Sequence, residues 1–366
     1  MRVLIITEPD DIHAVMVNLA LKQKGVDCEL FFSADMPTKQ KNTIFISSDD
    51  YSWDSIDGCK SYPFENHFDS IWWRRPRRPK IPDNLHEQDK NFAKIENSIY
   101  HDSIPFLLNE GACWINPIAS HQKTRSKIVQ LKLAQQCRFK IPETLITNSP
   151  EDIKAFLLAN KKNNIIYKPF SPHYWAGINE TRIVYTDKIS MDDLPSDQML
   201  QAVPGIYQKY IEKKYELRVT CFGTHIQAIK IDSQNSSSPT DWRKIPRNDL
   251  QISEVQLPQP IKNKIILYMI KMGVVFGCFD FIVTPNDEYI FLELNEQGQF
   301  LWVEELLPEL CYLEMFSEFI MNKRFDFTFK KTANRVHVAE LYLEAINIIE
   351  DNISQHVFLN QIKQVA

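Results

Sequence analysis

DFIVTPNDEYIFLELN, residues Asp280–Asn295, decides the reading of this chain. Two apolar, strand-like runs flank the turn TPND. Asp280 opens the first run; Glu293 and Asn295 close the second, two residues apart. Residues i and i+2 of a strand point to the same face, so Glu293 and Asn295 project together and a hairpin brings Asp280 beside them. Two carboxylates and an amide form an all-oxygen set. That suits Mg2+, a hard cation held by a few carboxylates plus a substrate's phosphates. Taken alone, the same pattern also describes an exposed hairpin edge with ordinary polar residues.

Composition sets the frame. The chain has 366 residues, enough for two or three domains. A net charge of −5 argues against a general nucleic-acid partner. No apolar stretch approaches the length that spans a membrane. The seven cysteines have no CxxC or Cys/His metal spacing, and the odd count without a pairing pattern reads as reduced thiols. MRVLIIT is too short for a secretory apolar core and is followed by Glu8, Asp10 and Asp11, so a cytoplasmic location is expected.

Outward from the hairpin, the chain opens as β-α-β. Strands are expected at Val3–Thr7 and Cys28–Ser33, with a helix at Ile12–Lys24 stopped by Gly25. No GxGxxG follows the first strand, so a dinucleotide fingerprint is absent. A strand at Ser70–Trp73 and a helix at Gln88–Leu108 complete a first domain, 1–115. A second, 116–205, begins with a helix at Ser120–Cys137. It continues through strands at Thr144–Thr147 and Ile165–Lys168, with Ser149 capping the helix that Pro150 opens. A third, 206–330, holds strands Ile206–Ile211, Glu216–Phe222, Ile226–Asp232, Phe279–Thr284 and Tyr289–Leu294, plus a helix at Ile261–Met272. The tail, 331–366, reads as one or two amphipathic helices.

Several side chains suit a nucleotide. Lys168 ends a run of buried aliphatics, where a lysine is costly unless it meets an anion or reaches water; a phosphate is the natural partner. Lys127, on the earlier helix pattern SKIVQLKLA, can reach the same phosphates or lie on a solvated face. Gln208–Ile211, with Tyr210 between them, form a strand end whose main chain can meet an adenine edge. Glu216 can accept from ribose hydroxyls. The same segment also reads as a plain charged hairpin. Arg218, Lys230 and Arg243 can form a cationic pocket around a phosphoryl group, or be unrelated surface cations. Asp232, or the substrate's own phosphate, is available as a base.

The order of these parts resembles the ATP-grasp superfamily over roughly residues 1–325. Within it the chain resembles the ATP-grasp ribosomal peptide maturases that make microviridins and other graspetides. The matching stretches are SIWWRRP (70–76), WINP (114–117), KIVQLKLAQQCRFKIPETLITNSPE (127–151), YKPF (167–170), DWR (241–243) and FLELNEQGQFLWVEE (291–305). The resemblance implies an α/β (α+β) ATP-grasp fold with an N-terminal β-α-β domain, a central lid domain and a C-terminal antiparallel-sheet domain. It implies ATP and Mg2+ as cofactors and a precursor peptide, leader plus core, as partner. No nucleic acid or membrane is expected; a homodimer is compatible with it. Lys127 and Lys168 then bind phosphates, Gln208, Tyr210 and Ile211 line the adenine pocket, and Glu216 meets the ribose. Asp280, Glu293 and Asn295 hold Mg2+, and Arg218, Lys230 and Arg243 steady an acyl phosphate. Asp or Glu side chains are activated and joined to Ser or Thr hydroxyls or Lys amines. Two departures stand out. The loop SPHYWAGINE after Lys168 has a single glycine, Gly177, and Gln208 stands where many relatives have Glu. A leader segment is expected on an exposed strand edge, at Thr181–Leu194 or Glu216–Asp232. Other ATP-grasp carboxylate–amine ligases and a non-catalytic nucleotide-binding module are the competing readings.

Overall fold

The computed structural model describes residues 1–366 other than 58–59, 64–67, 109–110, 161–163, 171–173, 177–180, 184–185, 235–241, 243–244, 332–334 and 360–366. The chain starts with the expected β-α-β unit. A parallel sheet runs in the order Asp27–Phe32, Arg2–Thr7, Ser70–Trp73, Cys113–Ile115. Its two inner strands, Arg2–Thr7 and Ser70–Trp73, are largely apolar, buried runs because both faces are covered. Helix Ile12–Gln23 is capped by Asp11, whose carboxylate accepts the His13 N–H at 3.2 Å, and Gly25 takes a left-handed φ of 74° behind it. A three-stranded meander, Gln40–Ile46, Tyr51–Asp57 and Lys60–Pro63, was not foreseen. The first of these strands is largely exposed, so it lacks the apolar signal that marks a strand.

A smaller antiparallel sheet follows, ordered Asp187–Ile189, Ile165–Lys168, Gly205–Lys209, Thr144–Thr147. Helix Pro150–Ala159 covers it through Ile153 and Leu157, packed with Ile165, Leu200 and Tyr207. The large antiparallel sheet is ordered Ile252–Glu254, His225–Ile231, Tyr215–Phe222, Phe276–Val283, Tyr289–Asn295. Along Tyr215–Phe222 the faces alternate. Leu217, Val219 and Cys221 enter a core with Phe279, Phe281 and Phe291, under helix Gln259–Met272. Glu216, Arg218 and Thr220 take the other face.

Packing departs from the sequence reading in four places. The single helix expected at Ser120–Cys137 is two, Ile118–Arg125 and Lys127–Gln136. Ser126 between them is extended (φ −89°, ψ 105°), and its hydroxyl caps the second helix by accepting from Val129 N–H at 3.3 Å. Pairing near residue 205 also crosses the expected division. Strand Gly205–Lys209 pairs into the small sheet, while Ala134, Cys137 and Phe139 join the core of the large one. The tail forms the expected helix, Val338–Gln355, and its packing is what the sequence did not show: Val336, Val338, Leu341, Ala345 and Ile349 sit in the same core as Val15 and Phe316. Glu304 fixes it by accepting from Leu313 N–H at 2.7 Å and Val338 N–H at 3.0 Å. Finally, most of Glu216–Asp232 is interior to the sheet: Tyr215–Phe222 is paired on both sides and Ile229–Ile231 is covered by Ile252–Glu254, which leaves only the His225 end of that strand as an edge. Asp187–Ile189, within the other expected segment, is an edge strand.

Candidate active site

The polar face of the large sheet and the end of the small one enclose a cavity of about 1390 Å³. Cross-strand register builds its floor. Arg218 lies opposite Asp280, and Asp280 opposite Glu293; one step along, Cys278 lies opposite Asn295. The hairpin therefore brings Asp280, Glu293 and Asn295 together. Asn295 Nδ2 donates to Asp280 at 2.9 Å and to Glu293 at 3.4 Å. The ladder slips one residue between Asp280 and Phe281. This bulge lets Leu292 line the cavity beside Glu293. Gln130 fixes the strand by pairing with Leu294 like a ladder partner, donating to its carbonyl at 2.9 Å and accepting its N–H at 2.7 Å.

Arg218 is buried; its Nη1 sits between both oxygens of Asp280 at 2.9 and 3.0 Å, and its Nη2 donates to Gln299 O at 3.1 Å. Burial opposes its charge, but the Asp280 carboxylate, joined by Cys278 and Glu293, outweighs that and holds its pKa above the usual arginine range. Glu216 accepts from Lys213 at 2.8 Å and from Ser233 at 2.9 Å. Burial still pushes its carboxyl upward. Lys127, first residue of its helix, donates to Pro169 O at 3.2 Å and lies 3.8 Å from Glu293. Lys168 closes its strand on the same cavity wall.

The hinge between the sheets carries the third group. Gln208 Nε2 donates to Thr144 at 2.8 Å, which leaves its buried Oε1 without a partner on the cavity wall. Tyr210 N–H is used by Asn164 O at 2.9 Å, and its ring lies under Lys188 Nζ at 4.0 Å. Its N–H is thus spent, and Ile211, next in line, borders the cavity.

One of the expected cations does not join this group, and another falls outside the described residues. Lys230 faces Leu217 across the ladder, so strand parity turns it to the opposite face from Arg218. There it lies over Tyr215 at 5.1 Å and 3.5 Å from Asp232. Arg243 lies outside the described residues; its neighbour Trp242 lines the cavity and packs on Trp302 at 5.2 Å.

Other residues of the site were not foreseen. Lys213, Ile166 and Leu292 line the cavity at its hinge end; His121 and Glu296 line it too. The WWRRP motif acts from behind. Arg74, fully buried, binds Asp11 at 3.0 Å and donates to the carbonyl of Gln297. His13 Nε2 accepts from Phe300 N–H at 3.0 Å and Leu301 N–H at 3.2 Å. The N-terminal unit thereby clamps the loop that follows Asn295.

The residues fit a bound nucleotide and Mg2+. Among the described residues the hinge keeps an unpartnered buried acceptor, the kind of group that an adenine amino group needs. The floor carries two carboxylates and an amide, an oxygen-rich set that phosphates complete. Among the described residues no three His, Cys, Asp or Glu side chains form a metal cluster, so phosphate oxygens are needed to fill the coordination shell.

Grasping a nucleotide between a small and a large antiparallel sheet is the property that names the ATP-grasp ligases; this chain has their fold and is similar to them as an ATP-dependent ligase. No protein-family model and no curated protein matches it. Among solved structures it is similar to RiPP-associated enzymes. A Chryseobacterium gregarium RiPP-associated ATP-grasp ligase, in complex with ADP and a leader and core peptide, is 28% identical, with a TM-score of 0.78 over 92% of this chain and 99% of that one. The macrocyclase MdnC of Microcystis aeruginosa, bound with precursor peptide MdnA, is 28% identical, with a TM-score of 0.76 over 88% and 100%. PsnB, complexed with a precursor variant, Mg and ADP, shares the fold at 18% identity, with a TM-score of 0.66 over 88% and 98%.

Proposed function

We propose that the chain is an ATP-dependent macrocyclase of a ribosomally made precursor peptide. It activates Asp or Glu side chains as acyl phosphates and joins them to Thr or Ser hydroxyls, or to Lys amines, with ester formation favoured. The observation that carries this reading is the register that lines up Glu216, the Arg218–Asp280–Glu293 row and Asn295 along one face of a cavity roomy enough for a nucleotide and a peptide segment. Similarity to ligases holding precursor peptides supports the substrate class.

A carboxylate is a poor acylating agent because its leaving group is poor. Transfer of a phosphoryl group makes it reactive, and that transfer needs positioning and charge neutralisation more than covalent help. Gln208 and Ile211 orient the base, and Glu216 the sugar. Lys127 and Lys168 neutralise phosphate oxygens. Asp280, Glu293 and Asn295 would hold Mg2+, which supplies further positive charge to the phosphates. Arg218 fixes Asp280 in place for that task.

The test is incubation of the full-length protein with ATP, Mg2+ and candidate precursor peptides from open reading frames beside its gene. Loss of one water per ring, dependent on ATP, is the expected result. ATP consumption that no peptide stimulates, with no mass change in any of them, contradicts the reading.

A further inference from the structure

We propose that His121, oriented by Glu296, is the general base that takes the proton from the attacking hydroxyl or amine. This rests on the reading of the cavity as an acyl-activating site. His121 projects from helix Ile118–Arg125, and its Nδ1 is paired with Glu296 Oε1. Glu296 is only 9% exposed, yet both residues line the cavity. A carboxylate only accepts, so Nδ1 carries the hydrogen and the lone pair of the neutral ring lies on Nε2. Among the described residues Nε2 has no partner, and the side chain keeps 24% exposure. The pair has the form of an imidazole held in one tautomer by a buried acid, with its basic nitrogen free for a reactant.

Its position assigns the step. Along strand Tyr215–Phe222, Glu216 comes first from the hinge, the Arg218–Asp280–Glu293 row second, and the Thr220–Cys278–Asn295 row third. Four residues of strand span about 13 Å. A nucleotide with its sugar at Glu216 thus runs its phosphates toward Asn295, and Glu296 lies one residue further. Asn116 secures that point, donating to Glu296 O at 3.3 Å and to Phe276 O at 2.9 Å. The dyad therefore stands past the phosphate row, where the activated carboxyl and its attacker meet. Asp232, the other candidate base, is beside Lys230 and is not among the residues lining the cavity.

In the step, the nucleophile's oxygen or nitrogen bonds to the acyl carbon and its proton passes to His121 Nε2. The acyl carbon–oxygen bond breaks and inorganic phosphate leaves with the electron pair. The imidazolium, stabilised by Glu296, then returns the proton to phosphate or water.

The experiment uses the full-length protein, ATP, Mg2+ and the precursor peptide that the wild type dehydrates. Hydroxylamine traps the activated carboxyl as a hydroxamate and reads activation alone; loss of water from the peptide reads ring closure. His121→Asn is expected to form hydroxamate near the wild-type rate while ring closure falls roughly 10²–10⁴-fold. Glu296→Gln, which can donate to Nδ1 and so select the wrong tautomer, is expected to give the same split and serves if His121→Asn does not fold. Ring closure at the wild-type rate in either folded variant overturns the assignment. So does equal loss of both half-reactions with an unchanged thermal melt. A wild type that yields neither hydroxamate nor ring with any peptide overturns the underlying function instead.

Discussion

Arg218 grips Asp280 through both carboxylate oxygens, at 2.9 and 3.0 Å. The sequence suggests separate duties for these two, a cation for an acyl phosphate and a ligand for a metal. In the fold they form one buried unit, so the arginine's charge serves first to hold the carboxylate. Removing one partner of a buried pair leaves the other charge uncompensated. Arg218→Ala is therefore expected to cost about 3 kcal/mol of stability. Arg218→Lys, which loses the planar fork, should fall between that variant and wild type. Urea unfolding checks both; a loss in Arg218→Ala below roughly 1 kcal/mol, the worth of a surface pair, contradicts the assignment.

Glu293 has a different balance. It is partly exposed, lies 3.8 Å from Lys127, and shares Asn295 Nδ2 with Asp280. Glu293→Gln keeps the shape and removes the charge. Peptide-dependent ATP turnover should fall by at least roughly 10²-fold, with a thermal melt close to wild type. Turnover at the wild-type rate ends the metal-ligand assignment.

Gln208 is the acceptor that the proposal assigns to the base. Thr144 holds its amide nitrogen, so Oε1 is fixed as an acceptor. An acceptor there favours the amino group of adenine over the carbonyl of guanine. Gln208→Ala should raise the ATP KM by about fivefold, the value of one hydrogen bond near 1 kcal/mol, and narrow the preference for ATP over GTP. Steady-state kinetics with both nucleotides decide it; an unchanged ATP KM contradicts it.

His13 makes stability depend on pH. Burial, reinforced by Arg74, holds its pKa well below the ordinary 6.5, because protonation would cost it its acceptor role toward Phe300 and Leu301. In the unfolded chain the imidazole takes up a proton near 6.5; the folded chain keeps it neutral. The unfolded state then binds more protons, and stability falls as pH drops below that value, by up to about 1.4 kcal/mol per pH unit. Burial also depresses His101 and His225, which add to the slope. Urea midpoints measured from neutral pH down to about pH 5 should decline less steeply in His13→Gln than in wild type. Parallel curves contradict it.

What was legible followed from local rules. Alternation and a turn announced the hairpin of Asp280, Glu293 and Asn295, and apolar runs announced the β-α-β start. Ser126 was harder to place: a serine inside a helical pattern gives no sign by itself that it will cap a new helix. Lys230 was misplaced because its charge says nothing about which face a strand turns to the cavity; only its pairing with Leu217 does. Lys213, His121 and Glu296 gain their positions from contacts between distant segments. Arg74 and His13 were invisible for the same reason, since they act on a loop more than two hundred residues away. A histidine five residues after Asn116 and an acid directly after Asn295 were available signals, but only the fold joins them.

The central claim is that ATP activates a peptide carboxyl by forming an acyl phosphate in this cavity. The direct measurement is a reaction with precursor peptide whose Asp and Glu carboxyl oxygens carry oxygen-18, followed by mass analysis of the phosphate released. The account predicts one labelled oxygen in inorganic phosphate for each ring closed, with ADP as the other product. Rings closed with unlabelled phosphate, or with AMP and pyrophosphate in place of ADP, would contradict it.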